Sequence, residues 1–369
     1  MIKQNNKKSG IKVLVAMSGG VDSSVAALLM KQRGFTVVGA FMKNWSDTKN
    51  NFGECAWKED REEAMKIASR LGIPLITLDF EKEYKKKVIN PMFSMYKKGI
   101  TPNPDIDCNE KIKFPLLWKI AKKLGFDFIV TGHYARIKKD KNGRYNLLRA
   151  KDESKDQSYF LYRLSQKELK HSIFPIGDYK KTEIRDIARK NGFQNFNRKG
   201  TVGICFVGKV NLKNFLQKKI KPKYGKILDP ENNVIGEHDG IYYYTIGQRI
   251  GPRFGIDINK GKQIKRWYVA KKIPKTNTII AAPANHPLLF KKEILMKKVH
   301  WISKKPKNNI KVLSRIRQVG ELLPSVLNYS NGIYKIKLKK PIQGISEGQA
   351  IVIYQKDICL GGGVISSTK

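Results

Sequence analysis

The first patterned stretch of the chain is the apolar run at residues 11–17 (IKVLVAM), which predicts a buried parallel strand. A Ser-Gly-Gly loop follows. It leads into an apolar-patterned helix from about 23 to 33, stopped by Gly34. Residues 36–42 (TVVGAFM) predict a second strand. An acidic-basic helix spans about 58 to 71 and stops at Gly72, and residues 74–80 (PLITLDF) predict a third strand. The segment FDFIVTGHYA, from Phe126, predicts a later one. Strands that alternate with helices imply an α/β fold with a parallel, doubly wound sheet. Ligands of such sheets bind at the carboxyl ends of the strands. For the first strand that place is the Ser-Gly-Gly loop.

The pattern changes after about residue 208. The stretch NLKNFLQKKI predicts a short helix, and GKILDP, ENNVIGEH and IYYYTIGQR predict short strands around a Pro-Glu-Asn-Asn turn. From about Pro283 onward come KVLSRIRQV, SVLNYS, GIYKIKLKK, AIVIYQKD and ICLGGGVIS. Their spacing of about ten residues, with Gly, Asn and Pro between, predicts a small β barrel. The expected organisation is an α/β domain over 1–208, a small mixed central domain over 209–282 and a C-terminal β barrel over 283–369. A length of 369 residues suits two or three domains.

Composition adds a partner class. There are 73 Lys and Arg against 31 Asp and Glu, a formal net charge of +42. An excess of this size suits a polyanion such as a nucleic acid, because each neutralised phosphate releases counterions. A general bias towards Lys would give part of the same excess, and no single block of Lys marks a binding face. The N-terminus, MIKQNNKKSG, does not read as a secretory signal, and no apolar run approaches the roughly 18 residues of a membrane span. The expectation is a cytoplasmic protein with no membrane partner. Cys55, Cys108, Cys205 and Cys359 form no CxxC pair, so a zinc site or a disulfide framework is unsupported and no metal ligands are predicted. In a reducing compartment such cysteines are buried small hydrophobes or reactive thiols.

The chemistry-bearing motifs are few. Ser18-Gly19-Gly20-Val21-Asp22-Ser23, preceded by Ala16 and Met17, joins a strand to a helix. Glycines let backbone approach phosphates, and the helix N-terminus offers free amides. The spacing is neither Walker A nor GxGxxG. Cys108 lies in ITPNPDIDCNEKIKF. Pro102 and Pro104 predict extended backbone there, with a helix starting near Ile112. A thiol just before a helix N-terminus would gain thiolate character. Asp105 is placed to act as a base or to orient a substrate. Cys205, in TVGICFVG, reads by itself as a buried strand cysteine. Cys55 and Cys359 read as structural.

SGGVDS resembles the loop of ATP pyrophosphatases, which cleave ATP between its α and β phosphates. With FMKNW, TPNPD followed by CN, KF, TGHYAR, KDQSYFLY, FPIG, GICF, GEHDG, TIGQR, WYV and CLGGG in order, the whole chain resembles the bacterial tRNA-specific 2-thiouridylases. The resemblance implies ATP, with magnesium, as the activating reagent. The substrate would be the wobble uridine of tRNAs for Lys, Glu and Gln, adenylated at its 2-carbonyl oxygen. Cys205 would carry a persulfide received from a sulfur-relay protein. Cys108 would attack that persulfide and finish in a disulfide with Cys205. Residues 16–23, Met42 and Gly132 would line the nucleotide site. Asn103, Pro104 and Asp105 would meet the base, and His133, Lys155, Asp156, Gln157, Arg315, Ile316 and Gln349 would contact tRNA.

Three departures from the family pattern stand out. Gly200-Thr201-Val202 replaces Asp-Ser-Thr, Ile316 replaces a Tyr, and Val210 replaces an Arg. Two alternative readings remain open: an ammonia-using ATP pyrophosphatase synthetase, and a tRNA-binding protein that has lost catalysis.

Overall fold

The computed structural model describes residues 10–48, 55–198, 205, 207, 211–251, 266–318 and 320–368. The predicted parallel sheet is present. Strands β1 (Lys12–Ala16), β2 (Thr36–Lys43) and β3 (Leu75–Asp79) alternate with helices α1 (Val21–Gln32) and α2 (Ala56–Leu71). Two long helical runs follow, α3 (81–97) and α4 (104–123), then strand β4 (Phe128–Val130). The hairpin β5 (Ala135–Lys139) and β6 (Tyr145–Arg149) comes next, then the short β7 (Ser172–Ile173) and helix α5 (Lys181–Lys190). The parallel order is β3-β2-β1-β4-β7. β1 is central and alternates its side chains. Val13 and Val15 face α1, α2 and α5, while Leu14 and Ala16 face α3 and α4. Both faces are covered, so after the exposed Lys12 the strand is apolar from Val13 to Ala16, and each fully buried Val or Leu contributes about 1.5–3 kcal/mol.

A second sheet orders β10-β11-β12-β8-β9, from β8 (Gly225–Leu228), β9 (Val234–His238), β10 (Arg249–Ile250), β11 (Trp267–Ile273) and β12 (Thr278–Pro283). The strand predicted over IYYYTIGQR is instead a 3-10 turn at Ile241–Tyr243, with only β10 extended. The turn lets all three tyrosines bury their rings. Their hydroxyls donate to the Lys221 carbonyl, the Ile220 carbonyl and the Asp239 carboxylate.

The C-terminal barrel has six antiparallel strands. They are β13 (Phe290–Trp301), β14 (Ile310–Arg315), β15 (Leu323–Ser330), β16 (Ile333–Gln343), β17 (Ala350–Gln355) and β18 (Ile358–Thr368). The order β13-β16-β15-β14-β17-β18 closes through a β13–β18 pairing. β13 was not among the predicted runs, since its lysines break the apolar pattern, yet its Ile294 and Met296 fill the barrel core. Gly361 and Gly362 sit where β18 is squeezed between its neighbours. A Cβ there would lie 2.1 Å from the His300 carbonyl oxygen and 2.3 Å from that of Ile351. The first 150 residues also add strands to this barrel's sheet, because β6 pairs with the start of β18 at Leu147 and Leu148.

Candidate active site

The loop after β1 turns into α1 through Gly19 and Gly20, with Gly19 at φ 72°. The Ser23 hydroxyl donates to the Gly20 carbonyl and accepts from the Ser18 amide, which holds the loop in a tight ring. The first amides of α1 have no partners within the helix and converge on the loop. Gly132, just after β4, packs against them. A Cβ on Gly132 would lie 2.7 Å from the Ser23 amide nitrogen, so only glycine fits. The Asp22 carboxylate accepts from Lys181 at 2.6 and 2.7 Å and from the Tyr134 hydroxyl at 2.8 Å. Arg198 and Asn195 both donate to the Gly19 carbonyl. Met42 is buried at the end of β2, on the same carboxyl edge as the loop. Beside it the buried Asn44 Oδ1 has no hydrogen-bond partner among the described residues. A glycine cradle, converging amides, flanking cations and an unused buried acceptor fit a nucleotide.

The same turn leads to the cysteines. His133 follows Gly132, accepts or donates through Nδ1 to the Thr131 hydroxyl at 2.7 Å, and stacks on Phe114 of α4. Burial, and then the Lys113 charge, push its pKa well below the usual imidazole value, so it stays neutral.

Helix α4 begins earlier than the sequence pattern implied. Asn103 caps it by accepting from the Ile106 amide, and Pro104 takes the first helical position. Cys108 therefore lies inside the helix, not ahead of it. Against the thiolate character expected there, burial and the hydrogen bond to Cys205 raise the Cys108 pKa. A π turn at Asn109–Lys113 follows, in which the Phe114 amide bonds the Asn109 carbonyl.

Cys205 meets this helix from a distant part of the chain. Its Sγ is 3.6 Å from Cys108 Sγ, and both are free thiols. Lys113 Nζ approaches Cys205 Sγ at 3.9 Å. The Cys205 amide donates to the Asp105 carboxylate at 2.9 Å, and the Tyr84 hydroxyl donates to the Cys205 carbonyl. The hydrogen bond from Cys108, helped by the Lys113 charge, lowers the Cys205 pKa against the cost of burial. Burial raises that of Asp105. Sequence reasoning missed Lys113, whose signal was only the KF pair after the cysteine.

The chain matches three family models in series. These are a tRNA methyl transferase HUP domain over 11–209, a tRNA methyl transferase PRC-barrel domain over 213–283 and an aminomethyltransferase beta-barrel domain over 291–365. The tRNA-specific 2-thiouridylase MnmA of Methylobacillus flagellatus is 42% identical over 359 residues, covering 96% of this chain and 99% of that protein. This chain belongs to the tRNA-specific 2-thiouridylase family. Thiouridylases of Coxiella burnetii (42% identical, 96% and 98% covered) and Lacticaseibacillus paracasei (41%, 97% and 95%) match equally along their lengths.

Several residues that the thiouridylase resemblance assigned to tRNA sit inside the protein. Asp156 and Arg315 are buried and paired at 2.6 Å. Asp156 also accepts from the Ala150 and Ser158 amides and the Ser158 hydroxyl. Ile316 points into the barrel core, which accounts for an apolar residue there. Gln157 braces the turn after β4 by accepting from the Tyr134 amide. His133 is buried, and Lys155 is exposed. Gln349 donates to the Thr101 and Pro102 carbonyls at 3.1 and 2.7 Å and accepts from Asn103. The barrel thus clamps the start of α4. Gly200, Thr201, Val202 and Val210 lie outside the described residues.

Proposed function

We propose that this thiouridylase uses ATP to activate the 2-carbonyl of the wobble uridine in certain tRNAs and replaces the oxygen with sulfur carried on Cys205. The uracil carbonyl oxygen is a poor leaving group, and transfer of AMP to it makes it a good one. The loop at 16–23 with Gly132 would hold the nucleotide, Met42 and Asn44 its base. Magnesium would arrive with the phosphates. Asn103, Pro104 and Asp105, at the start of α4, would meet a base drawn out of the anticodon stack.

The observation that carries this reading is the free thiol pair at 3.6 Å beside Lys113 and Asp105. The terminal sulfur of a Cys205 persulfide would bond to C2 of the base as AMP leaves. Cys108 would then attack Cys205 Sγ, breaking the sulfur–sulfur bond so that the sulfur stays on the base and a Cys108–Cys205 disulfide forms, which a thiol reductant resets. The tRNAs for Lys, Glu and Gln, a persulfide relay protein as donor, a cytoplasmic location and the division at 208 and 282 belong to the same proposal. Among the described residues no helix is long and apolar enough to cross a membrane.

The test is sulfur incorporation into purified tRNA with ATP, magnesium and a persulfide donor. Wild type is expected to form 2-thiouridine, and Cys108→Ser and Cys205→Ser to form none. ATP-dependent use of ammonia without thiouridine formation, unchanged by either substitution, would favour an ammonia-using synthetase. Binding of tRNA by wild type without product would favour a non-catalytic binder.

A further inference from the structure

We propose that Lys113 is the positioning residue that makes Cys205, and not Cys108, the anionic sulfur of the pair. The inference rests on the reading that Cys205 carries the transferred sulfur. It begins in the backbone. Residues five apart on an uninterrupted α-helix point roughly 140° away from each other. The π turn at Asn109–Lys113 widens the helix by one residue, so Cys108 and Lys113 share a face. Pro115 stands just after this turn. It has no amide to return to the Lys111 carbonyl, and its ring crowds that carbonyl in a regular helix. The sequence KFP therefore favours the local geometry that brings the ammonium to the thiols.

The polar groups around the pair are unequal. Cys205 Sγ receives the Cys108 thiol at 3.6 Å and faces Lys113 Nζ at 3.9 Å. Cys108 is wholly buried and acts as the donor. Among the described residues, the other titratable groups facing the site are Asp105, bonded to the Cys205 amide, and Tyr84, bonded to the Cys205 carbonyl. Tyr96 faces Asp105, and neutral His133 faces Lys113. Among the described residues, only Lys113 brings positive charge to the sulfurs. A directional pull agrees with the geometry, since the Cys205 thiol is lowered and the Cys108 thiol raised.

The consequence is an order of reaction. The Cys205 thiolate attacks the terminal sulfur of a donor persulfide. A new sulfur–sulfur bond forms on Cys205, the donor's own sulfur–sulfur bond breaks, and the donor leaves as a thiolate. The proton of the transferred sulfur travels with it. Cys108 remains a protonated thiol and does not compete for the donor.

The test is residue-resolved alkylation of the full-length protein with iodoacetamide, read by mass spectrometry from pH 5 to 10 in wild type, Lys113→Met and Lys113→Arg. In wild type at pH 7, Cys205 should label at least about 10-fold faster than Cys108. Lys113→Met should slow Cys205 about 10-fold at pH 7 by moving its profile up about one pH unit. Lys113→Arg should keep the wild-type profile. An unchanged Cys205 profile in Lys113→Met, or a Met-like profile in Lys113→Arg, would overturn the assignment. Should Lys113→Met lose its melting transition, the wild-type rates still decide, because faster labelling of Cys108 than of Cys205 sinks the idea. Alkylation needs neither ATP nor tRNA. Failure of wild type to make thiouridine would thus remove the functional reading without touching this result.

Discussion

Asp105 carries the sharpest expectation at the scale of single residues. Its carboxyl is raised by burial, with the Cys205 amide and Lys113 acting the other way. A carboxyl whose folded pKa lies above its unfolded value contributes stability below the unfolded pKa. That contribution is lost as pH rises through the folded value. Asp105→Asn escapes this loss and can still accept from the Cys205 amide. Its melting temperature relative to wild type should therefore rise between pH 4 and pH 7, reaching or exceeding wild type at pH 7. Thiouridine formation should fall about 100-fold, in the range for loss of a positioned acid or base. A variant whose melting temperature falls relative to wild type between pH 4 and pH 7 would contradict the burial argument.

Helix α4 sets the expectation at the scale of elements. Both π turns of the molecule's described residues, Lys85–Ile89 and Asn109–Lys113, stand immediately before a segment with proline in its first turn, Pro91 and Pro115. Replacing Pro115 by Ala restores an amide to the helix and removes the ring's clash, which favours the regular α register. Pro115→Ala should keep the wild-type helix content by circular dichroism and melt no lower than wild type. It should lose at least about 10-fold in sulfur transfer, because Lys113 turns away from Cys205. Full activity in Pro115→Ala would mean that packing, not proline, holds the π turn.

Across the whole molecule, the barrel and the α/β domain are joined by polar groups that water does not reach. Asp156 and Arg315 are both buried, the Ser158 hydroxyl meets that of Tyr354 at 3.1 Å, and Tyr159 donates to the Ile316 and Ala350 carbonyls. Removing one member of a buried ion pair strands the other, at a cost of about 3–5 kcal/mol. Asp156 keeps a second buried cation, Arg149, at 3.8 Å, so Arg315→Met should lower stability in urea by the lower end of that range or less, and adding Asp156→Asn should recover only part of it. If Arg315→Met is as stable as wild type but binds tRNA more weakly, Arg315 contacts RNA in a conformation other than this one.

The residues themselves made much of this protein legible. The apolar strand runs, the glycine-stopped helices and the SGGVDS loop follow from local rules, because each signal lies within one short segment. β13 escaped, since a barrel strand with one wet face and many lysines is recognisable only once its partners β16 and β18 are known. The start of α4 was readable in the Asn103-Pro104 pair and was obscured by the second proline, Pro102. The state of the thiols was not legible at all. Cys205 looked like an ordinary apolar strand cysteine, and Cys108 looked like the activated one. Their order reverses because a thiol's acidity depends on which charges and donors lie within a few ångströms. Those neighbours, Lys113 across a π turn and Cys108 from a distant segment, are brought together only by the folded chain.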